Sequence, residues 1–199
     1  MATIGVRDLF YATVAENGDG PETYGDPVRM AKAIQVQMTT TTAEAKLFAD
    51  DAVDEAVKEF VSGQLTLNTN DLVPLHQAYL LGQKKDEKGV VFASGDDEAP
   101  YVAVGFRATK TGGKFKYVWL YKVKFGIPDE NYQTKGESIA FQTPTIVGTY
   151  IKRKDGKWKA DYVGKQDDEI GSTWFAKVRE MDGDPLTREE LRAKKTGGN

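Results

Sequence analysis

Residues 110–125 read KTGGKFKYVWLYKVKF, and the alternation within this stretch decides the fold. From Lys114 onward, large apolar side chains fall on one side of an extended strand and lysines fall on the other. The apolar set, predicted to form one buried face, comprises Phe115, Tyr117, Trp119, Tyr121, Val123 and Phe125. The lysines are predicted to line the solvated side, although Val118 and Leu120 interrupt it and indicate that its middle is covered too.

The preceding segment, residues 101–108, also alternates, and Gly112 and Gly113 lie between the two segments. Glycine accepts the positive φ that a tight connection requires, so the pair of segments predicts a β-hairpin. A phosphate-binding loop would need its glycines and lysine between a strand and a helix. Here the lysine opens a strand, which excludes that interpretation.

The composition excludes several classes of site. The chain has 199 residues, a formal net charge of -3, one histidine and no cysteine. Disulfides, thiolate metal sites and cysteine nucleophiles are therefore excluded, and His76 has no second histidine with which to share a metal. We predict no catalytic residue, no metal and no cofactor. The N-terminus does not resemble a signal peptide and no apolar window is long enough for a membrane span, so neither secretion nor a membrane partner is expected.

Strand-like alternation recurs along the chain. The further strands predicted are 3–14, 28–38, 60–68, 90–93, 137–151, 157–163 and 172–178. One segment differs: residues 70–82, NDLVPLHQAYLLG, predict a short helix docked on a sheet through Leu72, Leu75, Tyr79 and Leu80. Asn70 is its candidate cap and Gly82 its stop.

The predicted fold is all-β, a β-sandwich or barrel of two packed antiparallel sheets with one flanking α-helix. The predicted domains are residues 1–180, which form the β domain, and residues 181–199, a charged extension. A capping box at Thr187 and Glu190, with Leu186 and Leu191 as a hydrophobic staple, predicts a short C-terminal helix from Arg188 to about Lys195.

Several stretches, in their order along the chain, resemble the major tail protein family of long-tailed siphophages and related prophages. They include IGVRDLFYA, ETYGDPVRMAKAI, KLFADDAVDEAVKEFVSGQLTLNTNDL, LLGQKKDEKGVV, APYVAVGFRA, GKFKYVWLYKVKFGIPDENYQTKGESIAFQTPTIVGTYIKR and WFAKV. The resemblance covers about residues 3–178, and its aromatic hairpin followed by FQTPTIVGT is the most specific part.

The resemblance implies a phage tail-tube fold and a structural role without enzymatic activity. Hexameric rings of the chain would stack into a tube through which DNA leaves the capsid without being specifically bound. The implied partners are further copies of the chain, the tape measure protein, and the tail tip and terminator proteins. The protein would be made in the host bacterial cytoplasm and end in the virion.

A ring-stacking contact needs a projecting element, and the polar stretch 39–59 is the candidate. Its acidic run, residues 49–59, is interpreted as a solvated or partner-facing loop rather than a carboxylate cation site. Its acidic end could meet a basic surface such as residues 151–157. The candidate inter-ring residues are Thr39, Lys46, Asp50, Asp51, Asp54, Glu55, Glu59, Lys152, Arg153 and Lys154. The candidate assembly arm at the C-terminus consists of Leu186, Thr187, Glu190 and Leu191.

Two other functions remain open from the sequence. A single-stranded nucleic-acid-binding module would expose its aromatic side chains beside lysines. A glycan-binding β-sandwich of a tail tip would expose an aromatic platform with carboxylates. The first would show salt-dependent retention on DNA and the second stabilisation by sugars.

Overall fold

The fold is known from a computed structural model, which describes residues 2–18, 20–49, 52–134 and 142–182. For residues 47–49 and 52–55 only the backbone is described. The predicted helix near Arg188 and the assembly arm Leu186, Thr187, Glu190 and Leu191 lie outside the described residues.

The described chain forms eleven strands and two helices. The strands are β1 (Thr3–Ala15), β2 (Thr23–Tyr24), β3 (Val28–Ala31), β4 (Ala33–Ala49), β5 (Ala52–Thr69), β6 (Lys84–Lys85), β7 (Val91–Phe92), β8 (Tyr101–Lys110), β9 (Phe115–Phe125), β10 (Thr145–Tyr150) and β11 (Lys159–Gly164). The helices are α1 (Pro74–Leu81) and α2 (Glu169–Thr173).

Nine of these strands form one antiparallel sheet in the order β2-β1-β8-β9-β10-β5-β4, with β11 also on β9 and β3 also on β1. Lys32 alone separates β3, which pairs with β1, from β4, which pairs with β5. The sheet therefore curves back on itself, and its opposite walls pack on one core that includes Leu9, Leu65, Val104, Leu120 and Ile146. The second sheet is the small pair β6-β7. The predicted all-β class with a flanking helix is confirmed.

The central hairpin forms as predicted, with β8 and β9 joined by a turn in which Gly112 and Gly113 have φ of 81° and 71°. Its faces differ from the prediction. The register moves from Val102 opposite Val123 to Val104 opposite Leu120, so β9 has one extra residue, a β-bulge, at Tyr121 and Lys122.

This bulge divides the apolar residues of β9 between two cores. Tyr117, Trp119 and Tyr121 lie in a second, outer cluster, whereas Val123 and Phe125 lie in the main core with Leu120. The prediction of one continuous buried face is therefore wrong beyond Tyr121, because a strict period of two cannot pass through a bulge.

Lys122 is the second departure on β9. It was predicted to be solvated, but its side chain is only 10% exposed and its ammonium forms ion pairs with Glu16 and Glu22. Both glutamates lie on the connection between β1 and β2, so this lysine holds that connection against the sheet.

The outer cluster is closed by α2 and the residues after it. Trp174 and Val178 are buried there, and Phe175 stacks on Phe10 with ring centroids 4.6 Å apart. The predicted strand at 172–178 is wrong, because Asp168 caps a helix: its carboxylate accepts a hydrogen bond from the backbone N–H of Gly171.

The predicted helix is present, but its details differ. Gly82 ends α1 in the left-handed conformation, as predicted. Asn70 does not cap it; its side chain accepts a hydrogen bond from the backbone of Lys32, and Pro74 opens the helix. Leu75 and Tyr79, predicted to dock, are 51% and 38% exposed. Leu72 and Leu80 are buried as predicted, and Ala78 and Leu81 complete the buried side of the helix.

The other strand predictions are mostly confirmed in position. The strand predicted at 28–38 is divided at Lys32, and its second part continues to Ala49. The strand predicted at 137–151 is seen as β10, while residues 135–141 lie outside the described part of the chain.

Candidate assembly surface

The longest hairpin of the protein extends well past the rest of the sheet. Strand β10 pairs with β5 only from Gly63 to Asn68. Beyond that point residues 41–49 of β4 and 52–62 of β5 pair only with each other. We call this two-stranded unit the arm. Its 11 residues on β5 correspond to a length of about 35 Å.

The arm corrects the interpretation of residues 49–59 as a loop, because residues 52–59 belong to β5. Four consecutive threonines, residues 39–42, begin the projecting part of β4. β-branched residues favour strands even where neither face is buried, and the paired backbone needs no apolar side chain to satisfy its hydrogen bonds. The described side chains of residues 41–46 and 56–59 are all exposed.

The two faces of the arm differ in chemistry. Residues directly opposite each other share a face, so Ala43 and Glu59 lie with Ala45 and Val57. The other face carries Glu44, whose carboxylate forms ion pairs with Lys46 at 3.1 Å and Lys58 at 3.0 Å. On one face the charged side chains thus form ion pairs with each other. The other face consists mainly of small apolar side chains that pack on nothing in the described chain.

The arm is attached to the body by an aromatic stack. Phe60 lies against Trp158 with ring centroids 4.6 Å apart and planes 3° from parallel, and Tyr150 stacks on Trp158 at 5.7 Å. The Tyr150 hydroxyl also contacts the Thr40 hydroxyl at 2.9 Å. Gly63 makes room for this tyrosine, since a Cβ there would lie 2.0 Å from the ring. The contacts at its root fix the direction in which the arm leaves the body.

The structure brings together only one half of the predicted inter-ring residues. Lys46 and Glu59, and the backbones of Asp54 and Glu55, belong to the arm, and Thr39 lies at its root. Asp50 and Asp51 lie outside the described residues.

The structure divides the three predicted basic residues Lys152, Arg153 and Lys154, because only Arg153 is buried. The side chain of Arg153 is only 5% exposed, and the ammonium of Lys154 is held by the carbonyl of Gly18. Lys152 remains exposed. Two of the three predicted basic residues, Lys152 and Lys154, are therefore on the surface, and their contact with a neighbouring ring stays a prediction.

Arg153 is instead the centre of a buried polar network. Its guanidinium donates to Asp155, to the Tyr24 hydroxyl at 3.2 Å and to Glu180 at 2.8 Å, and lies 4.4 Å from the ring centroid of Tyr121. These hydrogen bonds hold the pKa of the Asp155 carboxyl well below its usual range. Burial raises the pKa of Tyr24 to about 12. The network joins the 151–157 turn to β2 and to the end of the described chain. No sequence pattern marked it, because its members are far apart in the chain.

The arm and α1 lie at opposite ends of the molecule, because β5 runs from one to the other. The loops before β8 and after β9 lie at the α1 end: the amide of Gln77 donates to Glu130 at 3.4 Å, and Gly82 packs on the backbone of Glu98. The body therefore has two unlike ends.

The described residues also show where the side chains considered for other functions lie. They contain no group of three or more metal-ligating side chains, and His76 is engaged with the hydroxyl of Tyr11 at 3.1 Å. The hairpin aromatics Tyr117, Trp119 and Tyr121 are buried, so they are not a platform on which bases could stack. Neither helix has the length and apolar character required to span a membrane. The arm is therefore the feature in the described chain that most needs a partner.

No model of a known protein family matches the chain, and no curated protein matches it.

Proposed function

We propose that this chain is a structural subunit of a phage tail tube. Copies assemble as hexameric rings, and the rings stack into the tube through which DNA is delivered. The assembly is made in the bacterial cytoplasm and ends in the virion, where the tape measure protein and the tail tip and terminator proteins are its further partners. Two observations support the proposal. Several stretches within residues 3–178 resemble major tail proteins in the same order along the chain, and the fold is antiparallel and all-β.

The arm is the single observation that carries the proposal. An isolated two-stranded hairpin is at best marginally stable in water, and three strands or a packing partner are normally required. Here about 35 Å of hairpin pairs with no third strand in the described chain, and its side chains at residues 41–46 and 56–59 are exposed. A second molecule would supply the missing packing surface for the small apolar face formed by Ala43, Ala45 and Val57.

A tube of this protein would conduct DNA rather than bind it. The chain has 27 basic and 30 acidic residues, and a mildly acidic protein does not retain a polyanion. No catalysis is required of such a subunit, and none is proposed.

We expect the purified protein to associate into rings or tubes without nucleic acid as its concentration rises. The reason is that the exposed arm gains packing contacts only in the assembly. Sedimentation over a concentration series and negative-stain images of the concentrated protein are the measurements. Because free subunits can require a nucleus, the same series is repeated with a purified tail initiator complex.

The arm variant Asp50→Lys with Asp51→Lys is the companion to this experiment. We expect it to shorten or abolish tubes while leaving the thermal midpoint nearly unchanged, because in the described part of the arm only Phe60, at its root, packs against the core. The matched control is Lys84→Glu with Lys85→Glu, an equal number of charge reversals away from the arm. A protein that stays monomeric at millimolar concentration and does not extend the initiator complex would refute the proposed function.

Truncation after Glu180 is expected to leave the β domain folded and to weaken tube formation. The last large apolar anchors, Trp174 and Val178, and the ion pair of Glu180 with Arg153 are all retained in the shortened chain. Circular dichroism and the urea midpoint test the first expectation, and tube length tests the second. An insoluble or unfolded product would show that residues 181–199 belong to the core.

A further inference from the structure

The central hairpin carries opposite charges at its two ends. From Arg107 to Lys116 the chain reads RATKTGGKFK, with four basic residues and no carboxylate. The connection before β8, residues 94–100, carries Asp96, Asp97 and Glu98 and no cation. The described first part of the connection after β9, residues 126–134, carries Asp129 and Glu130 and no cation, and Lys135 follows it in the sequence.

The same two strands hold these charges apart. Strand β8 runs from the first acidic connection to the basic turn, and β9 runs from the turn back to the second acidic connection. Tyr101 pairs with Lys124, which places the two acidic connections side by side. Ten residues of β8 correspond to about 33 Å between the ends. The charge separation is therefore a fixed property of the rigid hairpin.

Part of each charged end is neutralised within the chain, and part is not. Arg107 pairs with Asp8, Lys116 with Asp161 and Glu98 with Lys124. Within the part of the chain that the structure describes, Lys110, Lys114, Asp96 and Asp129 form no ion pair. The free charges of the basic turn and of the described acidic connections thus have one sign each, with the exposed Lys84 and Lys85 of β6 at the same end as the acidic connections.

The acidic end also has the composition of an interface. Ile127 and Tyr132 are 86% and 83% exposed, and both lie on the connection that carries Asp129 and Glu130. Exposed large apolar side chains among polar ones are typical of contact surfaces, in which tyrosine is enriched. The basic turn, by contrast, has the small residues Thr111, Gly112 and Gly113 at its tip, so it can approach another surface closely.

We propose that the basic β8-β9 turn of one subunit seats on the two acidic connections, 94–100 and 126–134, of a second copy of this chain. The contact is heterologous, joining unlike ends, and therefore repeats from copy to copy along an axis. Opposite charges across it select the head-to-tail orientation, since head-to-head contact would bring like charges together. The inference rests on the proposed function and assigns the body-to-body contact between stacked rings, which is separate from the contact of the arm.

The experiment uses charge reversal with rescue. Lys110→Glu with Lys114→Glu is expected to raise the protein concentration required for assembly by about tenfold or more, and Asp96→Lys with Asp129→Lys is expected to do the same. Combining all four substitutions restores the oppositely charged pairs and is expected to return the required concentration to within about threefold of the unchanged protein. The control is Lys177→Glu, at an exposed lysine that lies outside both surfaces.

A second measurement reports proximity directly. The chain has no cysteine, so protein carrying Lys114→Cys can be mixed with protein carrying Asp96→Cys and oxidised. We expect a cross-linked heterodimer in assembled samples and none in samples diluted below the assembly threshold. The readout is gel mobility under non-reducing conditions.

The outcomes separate the two proposals. Tubes that form equally well from the reversed variants, with no rescue and no cross-link, would overturn this contact and leave the proposed function standing. Wild-type protein that forms neither rings nor tubes, alone or on the initiator complex, would overturn both. Assembly that is impaired by either reversal and restored by their combination supports the contact.

Discussion

Replacing Trp119 by alanine is expected to lower the free energy of unfolding by about 3–5 kcal/mol. The indole is completely buried in the outer cluster, and its N–H donates to the carbonyl oxygen of Trp174 at 3.1 Å. Gly105 lies opposite it, and the indole fills the space above this glycine, where a Cβ would come within 2.7 Å of the ring. The substitution leaves a cavity between β8, β9 and the C-terminal segment that these elements cannot close. Urea unfolding, with the midpoint and slope compared to the unchanged protein, measures the loss.

Tyr132→Ala is the matched control, because Tyr132 is also aromatic but is 83% exposed. The free energy of unfolding of this variant is expected to change by less than about 0.5 kcal/mol. Equal midpoints for Trp119→Ala and the unchanged protein would mean that the outer cluster is not a core in solution.

Arg153→Met is expected to lower the free energy of unfolding by about 3 kcal/mol. Removing the guanidinium leaves the carboxylates of Asp155 and Glu180 and the hydroxyl of Tyr24 without their donor, and loss of one partner of a buried ion pair costs about 3–5 kcal/mol. The lower part of that range applies because the side chains of Asp155 and Glu180 are 35% and 49% exposed, so water replaces part of the lost interaction. Chemical denaturation at neutral pH gives the value.

Lys152→Met provides the comparison for Arg153→Met. Lys152 is the residue before Arg153 and its side chain is exposed, so the substitution removes one positive charge without touching the network. We expect no measurable change from it. If both variants lose the same stability, the effect belongs to the net charge of the turn rather than to the buried network.

The central hairpin could be predicted from the sequence because its signal is local. Alternation over twelve residues and two adjacent glycines are both visible in a short window, and the structure confirms the strands and the turn. The same holds for the end of α1 at Gly82. The bulge at Tyr121 and Lys122 has no such signal, because apolar residues occupy both faces of β9 around it.

The two strands of the arm were missed for a different reason. In the sequence of the arm, Ala43, Ala45 and Leu47 alternate with Glu44 and Lys46. The apolar residues are mostly small, however, and the acidic residues that follow favoured a loop. The position of Arg153 could not be predicted at all. Its partners lie 129 residues before it and 27 after it, so its burial depends on how distant segments meet.

The bulge in β9 has a consequence for how the protein unfolds. One strand supplies buried side chains both to the main core and to the outer cluster on the opposite side of the sheet. Neither core can open without disturbing the strand that the other requires, so the two lose their order together. The body should therefore melt as a single cooperative unit, although its hydrophobic residues are divided between two separate clusters.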